Sequence, residues 1–82
     1  MAETFGQRLR RIRERRLMTL RELGKKAGVS WTHLAKLEHD QHRPTPSTVR
    51  KLAAALGVDP AWLLFGEGQA EADQSEREPP DA

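Results

Sequence analysis

The sequence has no cysteine and no tyrosine, and its 82 residues include only two tryptophans and two phenylalanines. Without cysteine there is no disulfide framework, so stability has to come from packing or oligomerisation. The same absence fits a reducing compartment. It also removes thiolate metal sites. His33, His39 and His42 have neither cysteine nor a clustered set of carboxylates in support, so no metal and no cofactor are expected. No apolar run approaches the roughly 18–20 residues that cross a membrane. The stretch from Met1 to Arg16 is charged and lacks the uninterrupted apolar core of a signal peptide. A soluble, cytoplasmic protein with no membrane partner is therefore expected. Ser–His–Asp arrangements and glycine-rich phosphate loops are missing too. A chain of this size buries only about 60% of its unfolded surface, leaving little room for an enclosed pocket beside a core. Catalysis is not expected, nor is effector sensing, since there is no second domain to hold an effector.

What is abundant is charge, unevenly placed. Residues 1–66 carry 13 Lys and Arg against 6 Asp and Glu, a net +7, while residues 67–82 carry 1 against 6, a net −5. A basic head of this size suggests a polyanionic partner, although small basic proteins need not bind nucleic acid. The end, EGQAEADQSEREPPDA, has no large apolar residue to offset the entropy of ordering. The reading is one folded domain over 1–66 and a disordered acidic tail over 67–82, a solubilising extension in the first place and, as the lesser alternative, a competitor with DNA for the basic face.

Helical periodicity accounts for the head. From about Glu3 to Arg15, Phe5, Leu9 and Ile12 follow an i, i+4, i+7 stripe. Arg8, Arg10, Arg11, Arg13, Arg15 and Arg16 are too many for one face. They are expected around the rest of that helix as a solvated surface with one or two phosphate contacts. Thr19 with Glu22 forms a capping box for a helix over about Leu20–Ala27, ended by Gly28. Ser30 caps a third helix over about Trp31–His39, with Leu34 and Leu37 inward. Asp40 to Pro46 is polar and proline-bearing, hence a loop. Ser47 is read as the cap of a fourth helix over about Thr48–Leu56, with Val49, Leu52, Ala53 and Leu56 inward and Gly57 as its stop. Asp59 followed by Pro60 starts a short fifth helix, in which Trp62 and Phe65 belong either to the core or to a dimer surface. No alternating strand pattern appears, so the fold class is all-α, a compact bundle of five short helices.

Leu20 to Glu38 carries the function. Two short helices joined by a glycine turn meet steeply, with Leu23, Ala27, Val29, Leu34 and Leu37 filling the crook and Gly24 at the close approach. The outer face of the second helix is then free to enter a groove, and the DNA major groove admits a helix. The segments LRELGKKAGVS, L-x-x-L-E and P-x-x-x-T-V-x-K-L-A-x-A-L-G-V-D, together spanning much of Phe5 to Phe65, resemble the phage-repressor/Cro-type helix-turn-helix family, also called the xenobiotic-response-element family. The resemblance implies a lambda-repressor-like DNA-binding domain. It makes the third helix the recognition helix, with Trp31, Thr32 and Lys36 at base-reading positions and His33 nearby. Thr19 and Ser30 fall where the family touches phosphates. The loop holding His39, Gln41 and Arg43 falls where the family runs along the DNA backbone. Arg13 falls on an arginine that in the family pairs with a glutamate, here Glu38, and can also face a phosphate.

Three positions depart from the family pattern. Leu20 replaces a glutamine that touches the backbone, a contact left to Arg21 or a main-chain N–H. Asp40 replaces a glycine after the recognition helix. Asp tolerates a left-handed conformation, but its charge repels a nearby phosphate. Trp31 is large for a base-reading position, and either contacts a thymine methyl or packs sideways on the protein. The leading expectation is a sequence-specific, repressor-like transcriptional regulator binding double-stranded DNA as a homodimer. The alternative is an antitoxin or other protein-binding module that neutralises a toxin or another protein partner and binds DNA secondarily.

Overall fold

The computed structural model describes residues 2–67. The acidic tail expected over 67–82 lies, beyond Glu67, outside the described residues. Five α-helices organise the rest: α1 (Phe5–Arg15), α2 (Leu20–Ala27), α3 (Trp31–Glu38), α4 (Pro46–Leu56) and α5 (Pro60–Phe65).

Each helix starts on a side-chain cap, because its first N–H groups have no partner inside the helix. Thr4 and Gln7 form a capping box on α1, so that helix begins at Phe5 rather than at Glu3. Thr19 and Glu22 do the same for α2, and the Ser30 hydroxyl accepts the His33 N–H at the head of α3. In α4 the cap is Thr45, not Ser47. The Thr45 hydroxyl accepts the Thr48 N–H, and Pro46 occupies the first helical position, where its missing N–H costs nothing. Asp59 and Pro60 repeat that pattern in α5. The α3 helix stops at Glu38, with His39 as its C-cap.

The core is aliphatic. Leu9, Leu23, Leu34, Leu37, Leu52, Leu56, Val58 and Leu63 are fully buried, with Phe5, Met18, Leu20, Val29, Trp62 and Leu64 packed around them. Each such leucine contributes about 1.5–3 kcal/mol on leaving water. The α1 helix packs on α3 and α5, while α4 closes against α2 and α5. This leaves one side of α2 and α3 uncovered.

Two glycines let α2 and α3 meet as they do. Gly28 has φ 73° and terminates α2 in the left-handed region. At Gly24 a Cβ atom would lie 2.5 Å from the Val29 carbonyl oxygen, so no larger residue fits the crossing.

Of the arginines expected on a solvated surface, Arg10, Arg11 and Arg15 are exposed, whereas Arg8 is buried and Arg13 and Arg16 are half-buried. Arg8 is buried and donates to the Leu63 and Glu3 carbonyls, closing the end of α5 against the start of α1. Arg16 donates to the Leu56 carbonyl. Arg11 pairs with Glu3 and lies over the Trp62 ring. Last-turn carbonyls of α4 and α5 need donors, and these long side chains reach them. Trp62 is thus half-buried against the core, whereas Phe65 is 65% exposed.

Candidate nucleic-acid interface

At 100° per residue, Trp31, Thr32 and Lys36 fall within an arc of about 140° on α3, opposite the arc that carries Leu34 and Leu37. The leucines are buried, and Trp31, Thr32 and Lys36 are exposed. His33 is half-buried at the border, its ring 5.7 Å from that of His42, centroid to centroid. His39, Gln41 and Arg43 are exposed in the loop that follows. Bonds to the last turn of α3 order that loop. His39 Nδ1 lies 2.8 Å from the Ala35 carbonyl, and the Gln41 N–H donates to the Lys36 carbonyl at 2.9 Å. The Thr19 and Ser30 hydroxyls both sit at helix N-termini, Thr19 at the start of α2 and Ser30 in the turn before α3. The structure thus brings the α3 residues and the loop residues into one continuous surface.

Arg13 and Glu38 lie behind that surface. The guanidinium clasps the carboxylate in a two-pronged pair, Nε to Oε2 at 2.6 Å and Nη2 to Oε1 at 3.0 Å, while Nη1 donates to the Met18 carbonyl. The side chains are 12% and 3% exposed. Hydrogen bonding to Glu38 raises the Arg13 pKa further, outweighing burial, so the charge is permanent. The pair ties the end of α3 to α1, and the Arg13 bond to Met18 adds the α1–α2 connection, fixing how α3 stands on the body.

Asp40 behaves otherwise than a free anion beside DNA. Its backbone is left-handed, φ 57°, and its carboxylate turns inward: Oδ2 accepts the Thr4 hydroxyl at 2.6 Å and Oδ1 accepts the Gly6 N–H at 2.9 Å. It caps α1 from 34 residues away, and places its negative charge against the positive end of that helix. Gly6 permits the approach, since a Cβ there would lie 2.5 Å from the Leu37 and Glu38 carbonyl oxygens. A second contact absent from sequence reasoning is the stacking of Arg21 on Trp31, with the guanidinium carbon 4.5 Å from the ring centroid. In the sequence, Arg21 stands out only as a substitute for the backbone contact missing at Leu20. No spacing rule within one helix signals a pair that spans two.

Two short helices meeting at a tight turn, with the second presenting an exposed polar and aromatic face, define a helix-turn-helix protein. The helix-turn-helix family model matches residues 9–63, and the chain belongs to that family. It is 36% identical over 73 residues to the immunity repressor protein of Bacillus phage phi105, covering 89% of this chain and 51% of the relative. It is 35% identical over 78 residues to the HTH-type transcriptional repressor RghR of Bacillus subtilis, covering 94% and 58%. The chain thus spans about half the length of these curated relatives. Among solved structures, the P22 c2 repressor in complex with a synthetic operator matches with TM-score 0.76 and 29% identity, over 80% of this chain and 100% of that one. SinR in the SinR–SinI protein complex matches with TM-score 0.72 and 32% identity, over 76% of this chain and 61% of that one. No helix among the described residues is long and apolar enough to cross a membrane.

Proposed function

We propose that this chain is a sequence-specific DNA-binding transcriptional regulator of the repressor kind, working in the cytoplasm. It inserts α3 in the major groove and acts as a homodimer on two half-sites about one helical turn apart. The observation that carries the reading is the exposed arc of Trp31, Thr32 and Lys36 on a short helix whose other face is locked into the core by Leu34, Leu37 and the Glu38–Arg13 pair. Likeness to a repressor bound to its operator supports it.

The roles divide by chemistry. Lys36 donates to guanine O6 and N7 or to a phosphate, and Thr32 and Trp31 meet base edges, with His33 beside them. Thr19 and Ser30 present hydroxyls and helix N-termini to phosphates, and His39, Gln41 and Arg43 follow the backbone. Arg13 spends three of its nitrogens on Glu38 and Met18. Its part is therefore to hold α3 in place rather than to contact DNA directly.

The test is a pair of substitutions measured against specific and random duplexes. Lys36→Ala should cost about 1–3 kcal/mol of discrimination, while Arg43→Ala should weaken all sequences alike and lower the salt slope by about one. Equal effects of both on both kinds of duplex would overturn the division. Binding without sequence preference, together with capture of a protein partner, would favour the alternative of a partner-neutralising module.

A further inference from the structure

We propose that Arg21 and Trp31 form one composite unit that selects thymine by its 5-methyl group at the base pair facing the head of α3. The proposal rests on the reading above that α3 enters the major groove.

Trp31 is the first residue of α3, directly after the Ser30 cap. It is 41% exposed, and one face of its ring is covered by the Arg21 guanidinium at 4.5 Å. An indole carries a single N–H donor and no acceptor, so it cannot make the two-pronged contacts by which Arg, Asn or Gln read guanine and adenine. What it offers is a flat apolar edge. Of the groups displayed in the major groove, only the thymine C5-methyl is apolar, and it is the natural complement to that edge.

A lone exposed tryptophan would sample several rotamers and lose that freedom on binding. The cation–π contact with Arg21 restrains the ring before DNA arrives. It also places a permanent positive charge against the ring. Lys25, Ser30 and Val29 line the open groove that Arg21 and Trp31 border, so the ring stands where two cationic side chains and a hydroxyl adjoin apolar surface. Arg21 thereby acts as a positioning residue for Trp31, and Trp31 as the specificity-determining one.

The experiment starts from the duplex recovered by selection from a random pool with the full chain. Each thymine of the half-site is replaced singly by deoxyuridine, which removes only the methyl group, and affinity is measured by fluorescence anisotropy at constant salt. Removing one buried methyl-sized group, at about 0.8 kcal/mol, corresponds to about a fourfold loss. That loss is expected at one thymine per half-site. Trp31→Ala should abolish it and Arg21→Ala should reduce it. This ratio of thymine to deoxyuridine affinity is insensitive to overall losses of stability or charge, which shift both duplexes together. The wild-type measurement needs no variant, so it can overturn the proposal even if a substitution perturbs the fold, and Trp31→Phe, which keeps an aromatic ring at the position, serves as the milder variant for assigning the contact. A selected motif without thymine, or one in which every thymine tolerates deoxyuridine, overturns the assignment and leaves the DNA-reading function intact. A ratio unchanged by Trp31→Ala assigns the methyl contact to another residue and overturns it equally, and a ratio unchanged by Arg21→Ala overturns the part given to Arg21. A pool that yields no motif overturns the reading on which the proposal rests, and the proposal with it.

Discussion

Replacing Glu38 by alanine removes a carboxylate that is 3% exposed and leaves the Arg13 guanidinium, itself 12% exposed, with the Met18 carbonyl as its remaining acceptor. Breaking a buried ion pair from one side costs about 3–5 kcal/mol, because the surviving charge is left without compensation. Arg13 keeps one bond and some access to water, which places Glu38→Ala at the lower end, about 3 kcal/mol. A domain of roughly 65 residues has a total stability of about 3–10 kcal/mol, so the loss is a large share of the whole. At about 4–8 °C per kcal/mol the melting temperature should fall by roughly 12–24 °C. Glu38→Gln keeps the shape and one acceptor oxygen and gives up the charge, so it should lose about half as much. Urea unfolding followed by the fluorescence of Trp31 and Trp62 measures both variants, and adding Arg13→Ala completes a double-mutant cycle. A coupling energy of about 2–3 kcal/mol is expected. If Glu38→Ala lay within 1 kcal/mol of the wild type, or if Arg13 and Glu38 did not couple, the pair would not be what fixes α3 to α1.

Three further perturbations separate physical causes. Gly24→Ala must push the Val29 carbonyl away from a 2.5 Å contact and should cost about 2–4 kcal/mol, whereas Gly28→Ala meets nothing within 4 Å and bears only its φ of 73°, about 1 kcal/mol. Thermal melts showing the reverse order would refute the close-approach argument. Asp40→Ala loses the bonds to Thr4 and Gly6 and keeps the left-handed backbone, so it should be about 1 kcal/mol less stable than Asp40→Gly, with faster amide exchange at Gly6 in both. The Arg11 guanidinium holds the Glu3 carboxyl below its ordinary 4.5. A lowered folded value means that the contribution is present at neutral pH and lost as pH falls through it. The pair is partly exposed, so wild type and Glu3→Gln should differ by less than about 1 kcal/mol at pH 7 and converge below pH 4.5.

The parts of the molecule that were legible in the sequence are those encoded locally. The capping pairs Thr19–Glu22 and Asp59–Pro60, the stops at Gly28 and Gly57, and the leucines at helical spacing are all short-range patterns, and the five helices and core follow from them. The helix α4 starts two residues before the point that Ser47 suggests, because three hydroxyls cluster there and the cap is Thr45, whose following Pro46 matches the Asp59–Pro60 pattern of α5. What escaped was long-range. Arg8 lies beside the apolar stripe of α1 and looks solvated until the Leu63 carbonyl, 55 residues on, arrives to accept its hydrogen bond. Asp40 reaches back to Thr4 and Gly6, and Arg21 reaches across the turn to Trp31. Each is a polar contact between elements, set by how the helices stack rather than by any pattern within one.

The most direct test of the account is selection of binding sites from a random duplex pool by the purified chain at near-physiological salt. Enrichment of a two-fold-related motif with half-sites about one helical turn apart is the predicted result. An unpaired short motif would contradict the homodimer, and salt-sensitive binding with no enriched sequence would contradict sequence reading by α3 itself.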